Sequence, residues 1–302
     1  MGTFASMPLS LSQPLALARL RPDLVHVHSP YPLGEVANWL LGRGKATVIT
    51  HHSDVVRQRG WLRLYAPMLR RVLSAADCII ATNPPYLETS RWLQPVRDRC
   101  VVVPLGVDVT RFTPPAAIPP SNPLRLLFVG RLRYYKGLDI LLKALVNLPN
   151  VGLTVVGDGP QRAAWHELAY RLGLSERVTF VGDVPDAALP DYYRAVHGFV
   201  LPATARAEAF GTVLLEAMAC GLPCVTTELG TGTSWIVQDQ ITGWVVPPND
   251  VEALAGALAA LVADDTRRRQ FGLAGRTRVE QHFSQEHMLR GIDAVYQRVL
   301  PK

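Results

Sequence analysis

The sequence predicts an α/β protein made of two doubly wound, Rossmann-like domains facing a cleft. Three observations carry that prediction. Short apolar, β-branched runs alternate with helix-period segments along the 302-residue chain. Strands of this kind, apolar without interruption, belong to parallel sheets covered on both faces. A stretch with five prolines in eleven residues, Thr113 to Pro123, then breaks the alternation, and it can continue neither a helix nor a central strand. Beyond it the alternation restarts. The expected division is a first domain over 1–112, a linker over 113–123, a second domain over 124–282, and a C-terminal helix over 283–302 that packs back toward the first domain.

Each element has its own reason. In the first half the strands are "DLVHVH" (23–28), "ATVITH" (46–51), "DCIIAT" (77–82) and "CVVVPLG" (100–106), each rich in β-branched residues. Between the second and third, "DVVRQRGWLRLYAPMLRRVL" from Asp54 to Leu73 reads as an amphipathic helix. In the second half the strands are "LRLLFVG" (124–130), "LTVVG" (153–157), "VTFVG" (178–182), "GFVLP" (198–202) and "PCVTT" (223–227). Helical segments separate them, among them 137–148, 189–197 and a stretch from about Thr212 through Ala219. Ligands of open α/β sheets sit beyond the carboxyl ends of the strands. The loops that follow these strands are therefore where chemistry is expected, and two facing sheets would place it in the cleft.

Composition narrows the function classes. Hydrophobic residues make up 48% of the chain and charged residues 19%, as in a globular protein with a sizeable core. No segment offers the ~20 uninterrupted apolar residues of a membrane-spanning helix. Four cysteines form no disulfide framework, and Cys220 and Cys224, flanking an apolar turn, read as small buried residues. The net charge of +6 is unevenly placed: residues 1–120 hold 13 Lys and Arg against 7 Asp and Glu, and residues 121–302 hold 18 against 18. An anionic partner is therefore expected to meet the first domain. The Asp54–Leu73 segment carries Arg57, Arg59, Arg63, Arg70 and Arg71 against Asp54 alone, with Trp61 and Tyr65 among its apolar residues. That is the composition of a helix lying on an anionic membrane surface, and this reading is favoured over a helix that merely wets its arginines. No nucleic-acid-binding fold is visible, so nucleic acid is not an expected partner.

Candidate site residues lie in the second half. Arg131 and Lys136 share the loop between the first strand after the linker and the next helix. Two cations beside a helix N-terminus suit a diphosphate, although solvated surface cations would look the same. "VVGDGP" (155–160) holds only part of a dinucleotide fingerprint and serves equally well as a tight turn. "AEAFGTVLLEAMACGLPCV" sets Glu208 before a helix and Glu216 within it, bracketing the N-terminal turn. Carboxylates accept hydrogen bonds from sugar hydroxyls and backbone N–H groups meet phosphate, an arrangement that suits a nucleotide sugar. Taken without context, the two acids would be an ordinary helix-start acid and a solvated one.

Context comes from "GRLRYYKG", "VVGDGP", "VTFVGDV", "EAFGTVLLEAMACGLPCV" and "TGWVVPPND". In order and spacing they resemble the retaining glycosyltransferases of family 4, which have the GT-B fold, and the resemblance runs from about Arg21 to the end. It implies that Arg131 and Lys136 hold the donor diphosphate, that Glu208 contacts the donor sugar with the backbone of Phe210, Gly211 and Thr212 nearby, and that Glu216 binds the ribose. It further implies that the loop from Gly182 through Val184 to Pro185 borders the base, and that His52 lies beside the transferred sugar and acceptor. His51 is expected to point the other way from the same strand. His26 and His28 are near a strand end too, but nothing completes a zinc site, so neither metal nor cofactor is expected. The implied partners are a nucleotide-sugar donor and a saccharide or polyprenyl-diphosphate-linked acceptor. The acceptor and membrane side would be formed by Asp54, Arg57, Arg59, Trp61 and Arg63, with the protein cytoplasmic and peripheral on the inner face of the cell membrane. The implied reaction is sugar transfer with retention, by front-face attack, in surface polysaccharide or glycolipid synthesis.

Two alternatives stand beside this. One is a GT-B epimerase that cleaves a nucleotide sugar without an acceptor. The other is a non-catalytic remnant, because only about twenty residues precede Asp23, where the family has a strand, a glycine-rich loop and further β/α units. On that ground the first domain is expected to be incomplete, through a late start codon or a true fragment.

Overall fold

The computed structural model describes residues 2–4, 7–9, 12–42, 44–54, 59–117, 120 and 122–300, leaving aside the side chains of 2–4, 7–9, 13 and 59–63. Along the chain run β1 (Gly2–Phe4), β2 (Met7–Leu9), α1 (Gln13–Arg19), β3 (Leu24–Ser29), α2 (Pro32–Leu41), β4 (Ala46–His51), α3 (Arg59–Ala75), β5 (Cys78–Ala81), α4 (Pro84–Thr89) and β6 (Cys100–Val102). They are followed by β7 (Leu124–Val129), α5 (Leu138–Leu145), β8 (Val151–Val156), α6 (Arg162–Arg171), β9 (Val178–Gly182), α7 (Leu189–Arg194), β10 (Gly198–Leu201) and α8 (Thr212–Ala219). The chain closes with β11 (Cys224–Thr227), α9 (Gly232–Ile236), β12 (Gly243–Val246), α10 (Val251–Ala263), α11 (Asp265–His282) and α12 (Gln285–Val299).

The chain divides into two compact units, Met1–Pro104 with Met288–Lys302, and Leu105–His287. The first holds a parallel sheet in the order β3-β4-β5-β6 and a small antiparallel pair, β1-β2. Its strands pair so that Ser29 lies opposite His51, which brings the carboxyl ends of β3 and β4 level. On one sheet face Val48, Ile80 and Val103 pack with Val295, against which Met288, Ile292 and Tyr296 of α12 are also laid. The second unit holds a six-stranded parallel sheet in the order β12-β11-β10-β7-β8-β9. Every residue of β10 and β11 is buried. Successive strand residues point to opposite faces, so the middle of this sheet is covered on both.

The α/β class and the parallel sheets agree with the sequence reading. Strand β12 was not separately foreseen: it is short and follows a turn, and it is held by pairing along Cys224–Thr227. The unit boundaries also differ from the expected domains. Residues 105–113 belong with the second unit because Val107 bonds with Phe283 and Gln285 through the backbone, and Phe112 is buried beside Tyr193. Arg194 donates to the Thr113 carbonyl, and Arg276 to those of Val109 and Phe112. Proline content thus marked the chain's loss of regular structure, while side-chain anchoring set where the unit begins.

Candidate functional site

In the second unit the sheet's carboxyl end is shaped by residues that only glycine can be. Gly130 follows β7, and a Cβ there would lie 3.3 Å from Lys136 Nζ, so the lysine folds back along a bare stretch of its own loop. A single helical turn, Tyr134–Lys136, leads to Gly137 at φ 71°, the N-cap of α5. A Cβ on Gly137 would be 1.9 Å from the Pro202 carbonyl oxygen. That glycine therefore lets the loop after β7 press against the loop after β10, and Thr204 N–H donates to the Tyr135 carbonyl at 2.8 Å to fasten them.

This contact brings together two residues that are 72 positions apart in sequence (208 − 136). Lys136 Nζ and Glu208 Oε2 are 2.7 Å apart, and both side chains are only 10% exposed. Glu208 is held from behind as well. Its carbonyl accepts a hydrogen bond from Thr231 Oγ1 at 2.8 Å, and the Ala209 carbonyl accepts one from Gly232 N–H at 2.9 Å. Phe210 is buried, Gly211 takes φ 87°, and Thr212 opens α8, whose first N–H groups have no side-chain cap. Unpaired N–H groups at a helix start favour an anion. One turn in, Glu216 is half-buried and its Oε2 accepts a hydrogen bond from Tyr193 O–H at 2.7 Å. Burial pushes the Glu216 carboxyl up, and the Tyr193 bond and the Arg111 charge pull it back.

Arg131 is exposed on the same loop as Lys136, which keeps its charge available to solvent at this end of the sheet. Gly182 ends β9 at φ 85°, accepts a hydrogen bond from Gly157 N–H at 2.7 Å, and leaves no room for a Cβ beside Arg162. Val184 in the loop after it is packed on the core. Of the predicted residues, the structure thus joins Lys136, Glu208, Phe210, Gly211 and Thr212 through contacts of their loops. Sequence reading missed Tyr193 and Arg111. Tyr193 lies in the helical segment 189–197 and Arg111 at the end of the expected first domain, and neither stands out in its local pattern.

In the first unit His52 follows β4, and its Nε2 lies 2.8 Å from His28 Nδ1 with the rings stacked at 5.1 Å. His28 stacks in turn on His26 at 4.8 Å. His26 is fixed by Thr50 Oγ1 at 2.7 Å and the Tyr296 hydroxyl at 2.6 Å. Burial, with the neighbouring His28, lowers both His52 and His26 to about 4, so these imidazoles are neutral at pH 7. His51 does point away, into the unit, with Ser29 Oγ at 3.2 Å from Nδ1 and Asp54 Oδ1 at 3.0 Å from Nε2. Asp54 also accepts from Ser90 Oγ at 2.7 Å. The acid expected to open the basic helix is therefore turned inward before α3 begins. Arg57 lies outside the described residues, as do the side chains of Arg59, Trp61 and Arg63. Cys220 and Cys224 are buried free thiols, and burial pushes Cys220 up to about 12. Among the described residues no group of three or more His, Cys, Asp or Glu is placed to hold a metal ion, and no helix is long and apolar enough to cross a membrane.

The chain thus has two parallel-sheet α/β units, one of them carrying a buried cation–carboxylate pair, and comparison with known proteins gives the class. Residues 111–278 match the family described as glycosyl transferases group 1, and residues 5–111 match glycosyltransferase family 4. The chain belongs to the group 1 glycosyltransferases and is a glycosyltransferase with the GT-B fold. It is 35% identical over 308 residues to O-antigen chain mannosyltransferase C of Escherichia coli, covering 98% of this chain and 81% of that one. It is 37% identical over 268 residues to D-rhamnosyltransferase WbpZ of Pseudomonas aeruginosa, covering 87% and 70%. Among solved structures, sucrose-phosphate synthase from Thermosynechococcus elongatus superposes with a TM-score of 0.82 at 29% identity, covering 94% of this chain and 75% of that one.

Proposed function

We propose that this glycosyltransferase moves a sugar, with retention, from a nucleotide-sugar donor to a saccharide or polyprenyl-diphosphate-linked acceptor in surface polysaccharide assembly. The observation that carries the reading is the buried Lys136–Glu208 pair, 2.7 Å apart, beside the start of α8. A buried ion pair contributes little net stability and often costs some. Its value here is that it holds an ammonium and a carboxylate in fixed places with little water around them. Lys136 and the α8 N–H groups receive the charge that develops on the leaving diphosphate, with Arg131 adding to the field from its exposed position. Donors fixed before the reaction stabilise such charge without reorganising. Glu208 accepts from the hydroxyls of the transferred sugar, Glu216 from those of the ribose, and the Gly182–Val184 loop borders the base. His52, neutral and paired with His28, accompanies the acceptor. No cofactor or metal takes part in this scheme. The name of the O-antigen chain relative supports a polysaccharide acceptor. The net charge of +6, all of it in residues 1–120, supports contact with an anionic membrane surface on the cytoplasmic side.

The test is a panel of nucleotide sugars incubated with oligosaccharide acceptors, following released nucleoside diphosphate with and without acceptor. Transfer to a saccharide is expected from at least one donor, and Glu208→Gln is expected to be nearly inactive while keeping its circular dichroism. Wild-type turnover by that variant would overturn the donor-site assignment.

A further inference from the structure

Tyr193 is fully buried between Phe112, at 5.7 Å edge to face, and Phe199, at 5.6 Å. A buried tyrosine hydroxyl needs a partner. This one has two acceptors on α8: Glu216 Oε2 at 2.7 Å, and the Val213 carbonyl at a long 3.4 Å. The short bond goes to the carboxylate, and a hydrogen bond to an ionised acceptor is the stronger kind. Glu216 has no lysine or arginine ion pair among the described residues. Its rotamer is therefore set from beneath by Tyr193, which leaves its other oxygen for a ligand. The remaining charged and titratable groups that act on it are Arg111, Asp186 and Cys220. Arg111 lies against the ring of Phe112 and donates to the Asp186 carbonyl, so the segment before the linker is closed over the same corner.

We propose that Tyr193 is a positioning residue for nucleotide recognition: its hydroxyl fixes the Glu216 carboxylate so that the free oxygen accepts hydrogen bonds from the ribose, and it thereby sets discrimination for ribo- over deoxyribonucleotides. The inference rests on the donor-site reading given above. A tyrosine whose role was only to fill the core would need no hydroxyl, since the phenyl ring makes both aromatic contacts. Removing the hydroxyl takes away the bond that lowers the Glu216 carboxyl, so protonation of that group in Tyr193→Phe should set in at higher pH.

The experiment is calorimetric titration of the full chain with UDP, GDP, ADP, CDP and their 2′-deoxy forms, for wild type, Tyr193→Phe, Glu216→Gln and the double variant. Wild type should bind at least one ribonucleotide and prefer it to its deoxy form. Tyr193→Phe should weaken the ribonucleotide by about tenfold, the scale of one charge-assisted hydrogen bond, and the deoxy form much less. The pH below which its affinity falls should move upward. In the Glu216→Gln background, Tyr193→Phe should have no further effect on ribose discrimination, because the two act as one unit. Unchanged discrimination and pH profile in Tyr193→Phe, with a wild type that binds, would overturn the inference and leave the donor site standing. Failure of wild type to bind any of these nucleotides would overturn both. Glu216→Gln reads the same bond from its other partner, so the outcome stands even if one variant folds poorly.

Discussion

The carboxyl ends of the two sheets have the same architecture and opposite chemistry. In the second unit the strand ends carry a charged pair, Lys136 with Glu208, set in a frame of positive-φ glycines at 130, 137 and 211. In the first unit the ends of β3 and β4 carry imidazoles: His52 and His26, which burial keeps neutral, with an exposed His28 between them, hydrogen-bonded to His52 and stacked on His26. The difference shows that a parallel sheet supplies only a place. What the place does depends on whether the loops can come close enough to bury charge with its partner, or only side chains that burial renders neutral. Glycines permit the former by removing Cβ atoms from the contact, and the second unit has them where the loops after β7 and β10 touch.

The largest expected effect is on the charged end. Lys136→Ala should lower kcat/KM by roughly 10²–10³, about 3–4 kcal/mol, the scale of one preorganised donor. Initial rates over a donor concentration series measure it. A loss below about threefold would mean that the ion pair is structural and that Arg131 and the α8 N–H groups carry the diphosphate without it.

Next comes the frame. Gly137→Ala should destabilise the second unit by about 2 kcal/mol or more, since it combines a left-handed backbone with a Cβ driven into the Pro202 carbonyl. For a unit of this size a melting point lower by about 5 °C is expected, with a fall in activity as the two loops part. An unchanged melting curve would show that the loops separate freely and that Lys136 meets Glu208 without glycine's help.

The basic helix sharpens the contrast in charge. Exchanging Arg57, Arg59 and Arg63 for glutamine should weaken binding to phosphatidylserine-containing vesicles by about 1 kcal/mol per charge, and wild-type binding should fall with added salt. Vesicle binding that ignores salt, or none in wild type, would remove the membrane from the reading of this helix.

The last test concerns the neutral end, where the effect appears only on acidification. His26 and His52 sit at about 4 in the folded unit and near 6.5 when unfolded, so the unfolded chain binds more protons between those values. Their contribution to stability is complete above about pH 6.5 and is lost as pH falls toward 4. Hydrogen exchange of β3 and β4 amides, corrected for intrinsic rates, should show protection falling across that window. With both histidines replaced by asparagine the fall should be shallower. The same slope in the variant would assign it to other groups.

The sequence by itself determined strands β3 to β11, the parallel α/β class and the family. Uninterrupted apolar runs such as "LLFV" (126–129) and "CIIA" (78–81) are buried at every position, so their composition states their place in the sheet. It also set the two acids proposed for the donor site, Glu208 and Glu216, on one short segment with the helix start between them. Only the tertiary structure decided how those residues are held. That Lys136 reaches Glu208 depends on loops after β7 and β10, adjacent strands that are remote in sequence. That Glu216 is fixed by Tyr193, and that the second unit begins at Leu105, depend on α7 and on buried Phe112. Such contacts leave no periodic trace along the chain. Local pattern reports which way a side chain faces, while a pairing between distant segments is set by sheet order and by the space that a missing Cβ leaves open.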